Sequence, residues 1–259
     1  MNGFSGSGRV DRPTEQARDV GRLDYAPVEI LLRTASRVER SKRLRSCEKE
    51  PWTVQWIEDW LEPGETLYDV GANVGAYSLI AAKASGGAAH VVALEPGFAT
   101  FASLCENVIL NNAEESITPL PIALSDRTQL SVLEYRDLRP GGSKHTVGDG
   151  SPAGGERAPS AYRQPILVWS LDDLVERFGL PLPDHMKVDV DGPELAVITG
   201  SSRILAAGHV KSLLVEMDQS HAEQVVDALE ASGYALGERF SRPHAQAGSP
   251  WYGLFTPAR

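Results

Sequence analysis

Cysteine is nearly absent: Cys47 and Cys105 are the only two in 259 residues. They lie in unrelated segments and form no metal-ligand spacing, which argues against a disulfide framework or a zinc site and fits a reducing compartment. Long apolar runs are missing too. None approaches the ~20 residues needed to span a bilayer, and Met1-Asn2-Gly3-Phe4-Ser5 lacks the apolar core of a secretory leader. No membrane partner and a cytoplasmic location are therefore expected. Positive charge is short, with 25 Lys/Arg against 35 Asp/Glu for a net of −10. The deficit is uneven: residues 1–50 carry 11 basic and 8 acidic residues, a net of +3, which leaves −13 for residues 51–259. An acidic body suits a polyanion poorly, so nucleic acid is disfavoured as a partner. Two phosphate-binding signatures are also missing. There is no Gly-x-Gly-x-x-Gly, which excludes the usual nicotinamide oxidoreductase fingerprint, and no Gly-Lys-Ser/Thr loop.

What is present begins with Leu67-Tyr68-Asp69-Val70-Gly71-Ala72-Asn73-Val74-Gly75. An apolar strand runs into a tight turn and then a helix. Gly71 and Gly75 remove side chains where a ligand must approach the backbone, and the helix N-terminus offers unpaired N–H groups. A second apolar run, Val91-Val92-Ala93-Leu94, ends in Glu95, 24 residues after Gly71. A carboxylate about 20 residues beyond such a turn can accept hydrogen bonds from both ribose hydroxyls. Ribose recognition without a phosphate cradle points to S-adenosylmethionine.

The wider pattern alternates: strand 67–70, helix 75–84, strand 90–95, helix 98–111, strand 117–122, then helix 171–178, strand 185–190, helix 194–206, strand 210–217, helix 222–232 and a closing pair 234–240 and 250–256. That is an α/β, doubly wound, mostly parallel sheet. Such sheets bind ligands beyond the carboxyl ends of their strands, where Gly71, Glu95 and Asp189 would meet. Trp52, Trp56 and Trp60, at fourfold spacing after Pro51, read as one packed helix stripe. Residues 131–135 and 165–169 read as short added strands around a Gly/Pro/Ser-rich insertion, 136–164, whose length suggests a lid or linker. Residues 1–50 read as a partly disordered N-terminal extension with a basic helix over 28–46, the catalytic domain occupying 51–259. Arginines of that helix suit an acidic substrate or a second copy of the chain, so a homo-oligomer is a candidate assembly.

The turn motif, together with Lys187-Val188-Asp189-Val190-Asp191-Gly192-Pro193-Glu194, resembles the FkbM family of class I S-adenosylmethionine-dependent methyltransferases. The resemblance covers roughly residues 52–220. It implies a seven-stranded sheet of order 3-2-1-4-5-7-6 closed by an antiparallel hairpin. It also implies cofactor contacts from Asp69, Gly71, Asn73, Gly75 and Glu95, with Ala123 and Asp126 near the adenine. Asp191 stands where the family often has Glu, and Pro193 where it has a small or polar residue. The activity implied is O-methylation of a hydroxyl on a sugar, glycan or secondary metabolite, with N- or carboxyl-methylation and a turnover-free scaffold as alternatives.

Two further sites follow from residue type. Asp189, Asp191 and Glu194 are three closely spaced carboxylates, and oxygen ligands suit Mg²⁺; equally, Asp191 and Glu194 form a capping-box pair, and Lys187 neutralises Asp189. A hydroxyl acceptor needs a group to take its proton. Asp189, placed by the sheet, and His145, in the insertion, are the candidate catalytic residues. Glu216, ending the fifth strand, borders the same crevice.

Overall fold

The computed structural model describes residues 20–143, 145–148, 161–242, 245–246 and 248–258. The described residues open with a hairpin of β1 (Val20–Arg22) and β2 (Leu31–Arg33), then α1 (Arg37–Lys42), a 3-10 turn at Arg43–Arg45, α2 (Ser46–Lys49) and α3 (Pro51–Trp60). Alternation follows: β3 (Thr66–Val70), α4 (Ala76–Ala84), β4 (His90–Leu94), α5 (Phe98–Leu110) and β5 (Ile117–Leu120). Next come β6 (Ala123–Leu124), β7 (Gln129–Tyr135), β8 (Thr146–Gly148) and β9 (Tyr162–Trp169). The last third holds α6 (Leu171–Phe178), β10 (His185–Val188), α7 (Glu194–Thr199), α8 (Ser202–Ala206), β11 (Ser212–Met217), α9 (Ala222–Ala231), β12 (Tyr234–Phe240) and β13 (Trp251–Pro257).

Seven strands form the main sheet in the order β12-β13-β11-β10-β3-β4-β5. Counted along the chain, this is the expected 3-2-1-4-5-7-6. The pairings from β5 through β11 are parallel, and β13 is antiparallel to both β11 and β12. Every residue of β3 is buried, as a parallel strand covered on both faces requires. Its side chains alternate: Leu67 joins the apolar layer with α3 and α4, while Tyr68 and Val70 join the layer with α6 to α9.

The first layer also corrects the reading of the N-terminus. No single helix spans 28–46. Ile30 and Leu32 are fully buried at a spacing of two, the period of a strand, and helix begins only at Arg37. Leu23, Tyr25, Ile30 and Leu32 belong to the same apolar cluster as Leu67 and Val91. Asn107 of α5 and Asn111, just past its end, fix this segment. Asn111 accepts from the Leu31 N–H and donates to the Leu31 carbonyl, and Asn107 accepts from the Arg33 N–H. Of the tryptophan stripe, Trp52 and Trp56 are buried and Trp60 is exposed.

The added strands are longer than expected and build a second sheet, β6-β9-β7-β8. The strand read as 117–122 thus ends at Leu120, and Ala123–Leu124 pairs with β9. Of the insertion, residues 144 and 149–160 lie outside the described residues. The helix expected over 194–206 is two helices, because the chain breaks at Gly200. A Cβ there would lie 1.9 Å from the Ser125 carbonyl oxygen, so the two backbones touch. Among the described residues, no helix is long and apolar enough to cross a membrane.

Candidate functional site

The turn after β3 is shaped by backbone geometry. Gly71 has φ +84°, and a Cβ built on it would lie 2.0 Å from the Asp189 carbonyl oxygen. No other residue fits there without moving β10 away from β3. Asn73 has φ 53°, a conformation Asn tolerates better than most residues. Its N–H donates to Glu95 Oε2 at 3.1 Å, and the Val74 N–H donates to Asn73 Oδ1 at 3.0 Å. The N–H groups of Gly71 and Ala72 both donate to the Leu94 carbonyl. Gly75, φ +85°, caps α4, and a Cβ there would meet Leu104 Cδ1 at 2.4 Å.

Glu95 stands just past β4 with its carboxylate buried. Oε1 accepts from the Gly97 N–H at 2.8 Å, so the two oxygens hold two backbone donors between them. Burial pushes this carboxyl up to about 7, against the pull of those two N–H groups. Each carboxylate oxygen can accept more than one hydrogen bond, so capacity remains for a ligand's hydroxyls.

The crevice beside Glu95 is a narrow cleft, partly open to solvent, with a cavity volume of about 70 Å³. Gly71, Asn73, Glu95, Ala123, His145, Asp189 and Asp191 all line it, with Ile122, Leu124 and Leu133 as its apolar wall. Four expected site residues do not. Asp69 lies beneath the turn, fully buried; Ser78 Oγ donates to it at 2.6 Å and Lys187 Nζ is 3.7 Å away. Gly75 faces Leu104. Asp126 turns outward to Arg127 at 2.7 Å and is not brought to the crevice. Glu194 folds back so that the Gly192 N–H donates to its Oε1 at 2.8 Å.

That last contact corrects the metal expectation. Asp189 faces Lys187 Nζ at 3.2 Å, and Glu194 is spent on the backbone, so Asp189, Asp191 and Glu194 do not converge. Among the described residues, no group of three or more His, Cys, Asp or Glu could hold a metal ion. The residues do not fit Mg²⁺. For an adenosyl cofactor they do: the glycine cradle, the apolar wall and a buried carboxylate with spare acceptor capacity are the donor and acceptor set that a ribose and a flat base require.

Sequence reasoning missed a buried polar network on the far side of Asp189. Arg242, in the loop after β12, donates through Nη2 to Glu50 Oε1 and Glu216 Oε1 and lies against the Tyr252 hydroxyl, each at 2.8 Å. Lys49 Nζ is 2.6 Å from Glu50, and Tyr77 donates to Glu50 Oε2 at 2.8 Å. Burial, reinforced by neighbouring Asp189, pushes the Glu216 carboxyl up. Burial acts on Asp189 in the same sense, but Lys187 overcomes it and holds that carboxyl well below the usual range. Only Glu216 was visible beforehand, as a strand-end carboxylate. Glu50, Arg242 and Tyr252 share no spacing that would announce them.

The strand order, the glycine turn and the ribose-ready carboxylate together define a class I methyltransferase fold. The chain belongs to the FkbM methyltransferase family: the family model for the methyltransferase FkbM domain matches residues 69–236. It is 29% identical over 184 residues to the hexuronic acid methyltransferase AglP of Haloferax volcanii, covering 71% of this chain and 69% of that protein. It is also 29% identical over 154 residues to the methyltransferase sdnD of Sordaria araneosa, covering 52% of this chain and 59% of that one. Among solved structures, methyltransferase FkbM from Methylobacillus flagellatus superposes with a TM-score of 0.50 at 16% identity, over 75% of this chain and 44% of that chain. A putative rRNA methylase from Clostridium thermocellum superposes at 0.52 with 8% identity, over 82% and 96%. At such identities the structural likeness speaks for the fold alone.

Proposed function

We propose that this chain is an S-adenosylmethionine-dependent O-methyltransferase acting on a hydroxyl of a sugar, glycan or secondary metabolite. The observation that carries the reading is Glu95: a buried carboxylate at the end of the second strand, steadied by two backbone N–H groups and lining the crevice beside the glycine turn. The name of AglP, a hexuronic acid methyltransferase, supports a sugar acceptor. The acidic body of the chain supports a small molecule or glycan over nucleic acid.

When bound, the cofactor supplies an activated methyl group. This chain's residues supply alignment and proton management. Gly71 and Asn73 give the cofactor access to the turn, Glu95 holds the ribose, and Ala123 with Leu124 flanks the base. Asp189 lines the crevice, and Lys187 and Tyr252 lie against its carboxylate from the other side. Ionised in that setting, Asp189 would take the proton of the acceptor hydroxyl as the O–CH3 bond forms and the cofactor's S–CH3 bond breaks. His145, the other candidate base, stands in the inserted sheet with its ring 4.8 Å from that of Tyr135, which favours a binding role.

Calorimetric titration with S-adenosylmethionine, for the native protein and Glu95→Ala, tests the cofactor reading. Loss of about 1.5–3 kcal/mol in the variant is expected, the scale of hydrogen bonds to a charged group. Transfer of labelled methyl to hydroxylated sugars tests the acceptor; label found only on nitrogen or a carboxylate would refute the hydroxyl assignment.

A further inference from the structure

Three contacts from three directions meet on the short segment Pro140–Gly142, which follows β7 and passes over the cofactor crevice. Ser36 Oγ donates to the Pro140 carbonyl at 2.8 Å. Arg43 donates through Nε and Nη2 to the Gly141 carbonyl at 3.1 and 2.7 Å. From inside the crevice, Asn73 Nδ2 donates to the Gly142 carbonyl at 2.8 Å. Gly141, φ +76°, sits so close to α1 that a Cβ would lie 3.0 Å from Glu39 Cγ.

The outer anchor is itself firmly seated. Ser36 and Glu39 form a reciprocal capping box at the start of α1. The other oxygen of the buried Glu39 accepts from Ser103 Oγ on α5 at 2.8 Å. One turn further along α5, Asn107 accepts from the Arg33 N–H and donates to the Val74 carbonyl in the cofactor turn. The N-terminal segment is thus tied to the cofactor turn through α5 and to the crevice's cover through Ser36 and Arg43. Under that cover, Gly142, Ser143 and His145 line the crevice, and His145 Nδ1 is buried with no hydrogen-bond partner among the described residues.

We propose that residues 140–143 and His145 form a cofactor-binding roof, that Ser36 and Arg43 are positioning residues which hold it down, and that His145 offers its ring nitrogen to the adenosyl group. Ser36 and Arg43 lie outside the residues 69–236 matched by the family model. The inference rests on the adenosyl-cofactor reading above. Its physical content is that the cofactor site is closed by a part of the chain that never touches the cofactor.

The test uses the full chain and S-adenosylhomocysteine as probe, with affinity from calorimetry and protection of the amides in 141–143 from hydrogen exchange. The native protein binds the probe and gains protection in these residues. Arg43→Ala binds it about tenfold more weakly, the scale of a lost charge-assisted hydrogen bond, and loses the gain in protection, while Arg43→Lys restores part of both. His145→Ala, which leaves α1 intact, also weakens binding and serves as the second arm should Arg43→Ala fail to fold. Unchanged affinity in both Arg43→Ala and His145→Ala, or no added protection in the native protein with probe bound, overturns the roof and leaves the cofactor reading standing. Absence of probe binding to the folded native protein overturns both.

Discussion

The two walls of the crevice are built by different physics. The wall at Gly71–Glu95 is backbone: positive-φ residues, close approach of chains, and N–H groups shared by one carboxylate. The wall at Asp189 is backed by side-chain charge that does not itself line the crevice: buried Lys187, Glu50 and Glu216 and partly exposed Arg242, brought from four distant parts of the chain. A backbone wall has to be written in one short stretch of sequence, because each residue's conformation constrains the next. A charge wall can be assembled from anywhere, since a long side chain reaches across strands.

The sharpest way to break the contrast is Gly71→Ala. The new Cβ meets backbone, not a flexible side-chain end, at a φ hostile to L-residues. A loss of about 4 kcal/mol in chemical denaturation is expected, at the severe end for single substitutions, together with loss of cofactor binding.

Next is pH. Burial raises the Glu95 carboxyl from 4.5 to about 7 in the folded chain. Between those values the native state holds a proton that the unfolded chain has released, so stability is greatest at the acid end and falls as pH rises to about 7. The loss amounts to about 3 kcal/mol at most. Urea melts from pH 4.5 to 8 should show this component, and Glu95→Gln should remove it. Cofactor affinity moves the opposite way, because the ionised carboxylate is the better acceptor. It should rise with pH through about 7 and then level off; a flat affinity profile would mean Glu95 does not touch the ribose.

Arg242→Ala separates the walls. It leaves the Glu50 and Glu216 carboxylates without their shared donor, and a cost of about 2 kcal/mol is expected, below the value for a fully buried pair because Arg242 is partly exposed. Methyl transfer should fall while calorimetric affinity for S-adenosylmethionine stays close to native. A matching fall in cofactor affinity would show that the two walls act as one. The smallest effect is expected for Asp126→Ala, since its partner Arg127 is exposed. Stability and cofactor affinity should both change by less than about 0.5 kcal/mol.

Legibility in the sequence followed the same division. The strand order, the glycine turn, Glu95 and the position of Asp189 could be read because local periodicity and short spacings encode them. The N-terminal segment was misread because a three-residue strand offers too few alternations to compete with a run of arginines that looks helical. Glu194 and Asp126 misled for another reason: carboxylates near a site by number were already committed, one to the Gly192 N–H and the other to Arg127. Composition cannot reveal such commitments.

By itself, the sequence determined a doubly wound sheet, its strand order and a carboxylate at the end of the second strand beside a glycine turn, because backbone conformation and burial period are properties of consecutive residues. Only the tertiary structure decided that Asp189 answers to Lys187, that Glu50, Glu216 and Arg242 meet behind it, and that Ser36 and Arg43 hydrogen-bond to Pro140 and Gly141 beside the crevice. Those outcomes depend on which side chains arrive at the same point in space, and that is fixed by how the layers pack.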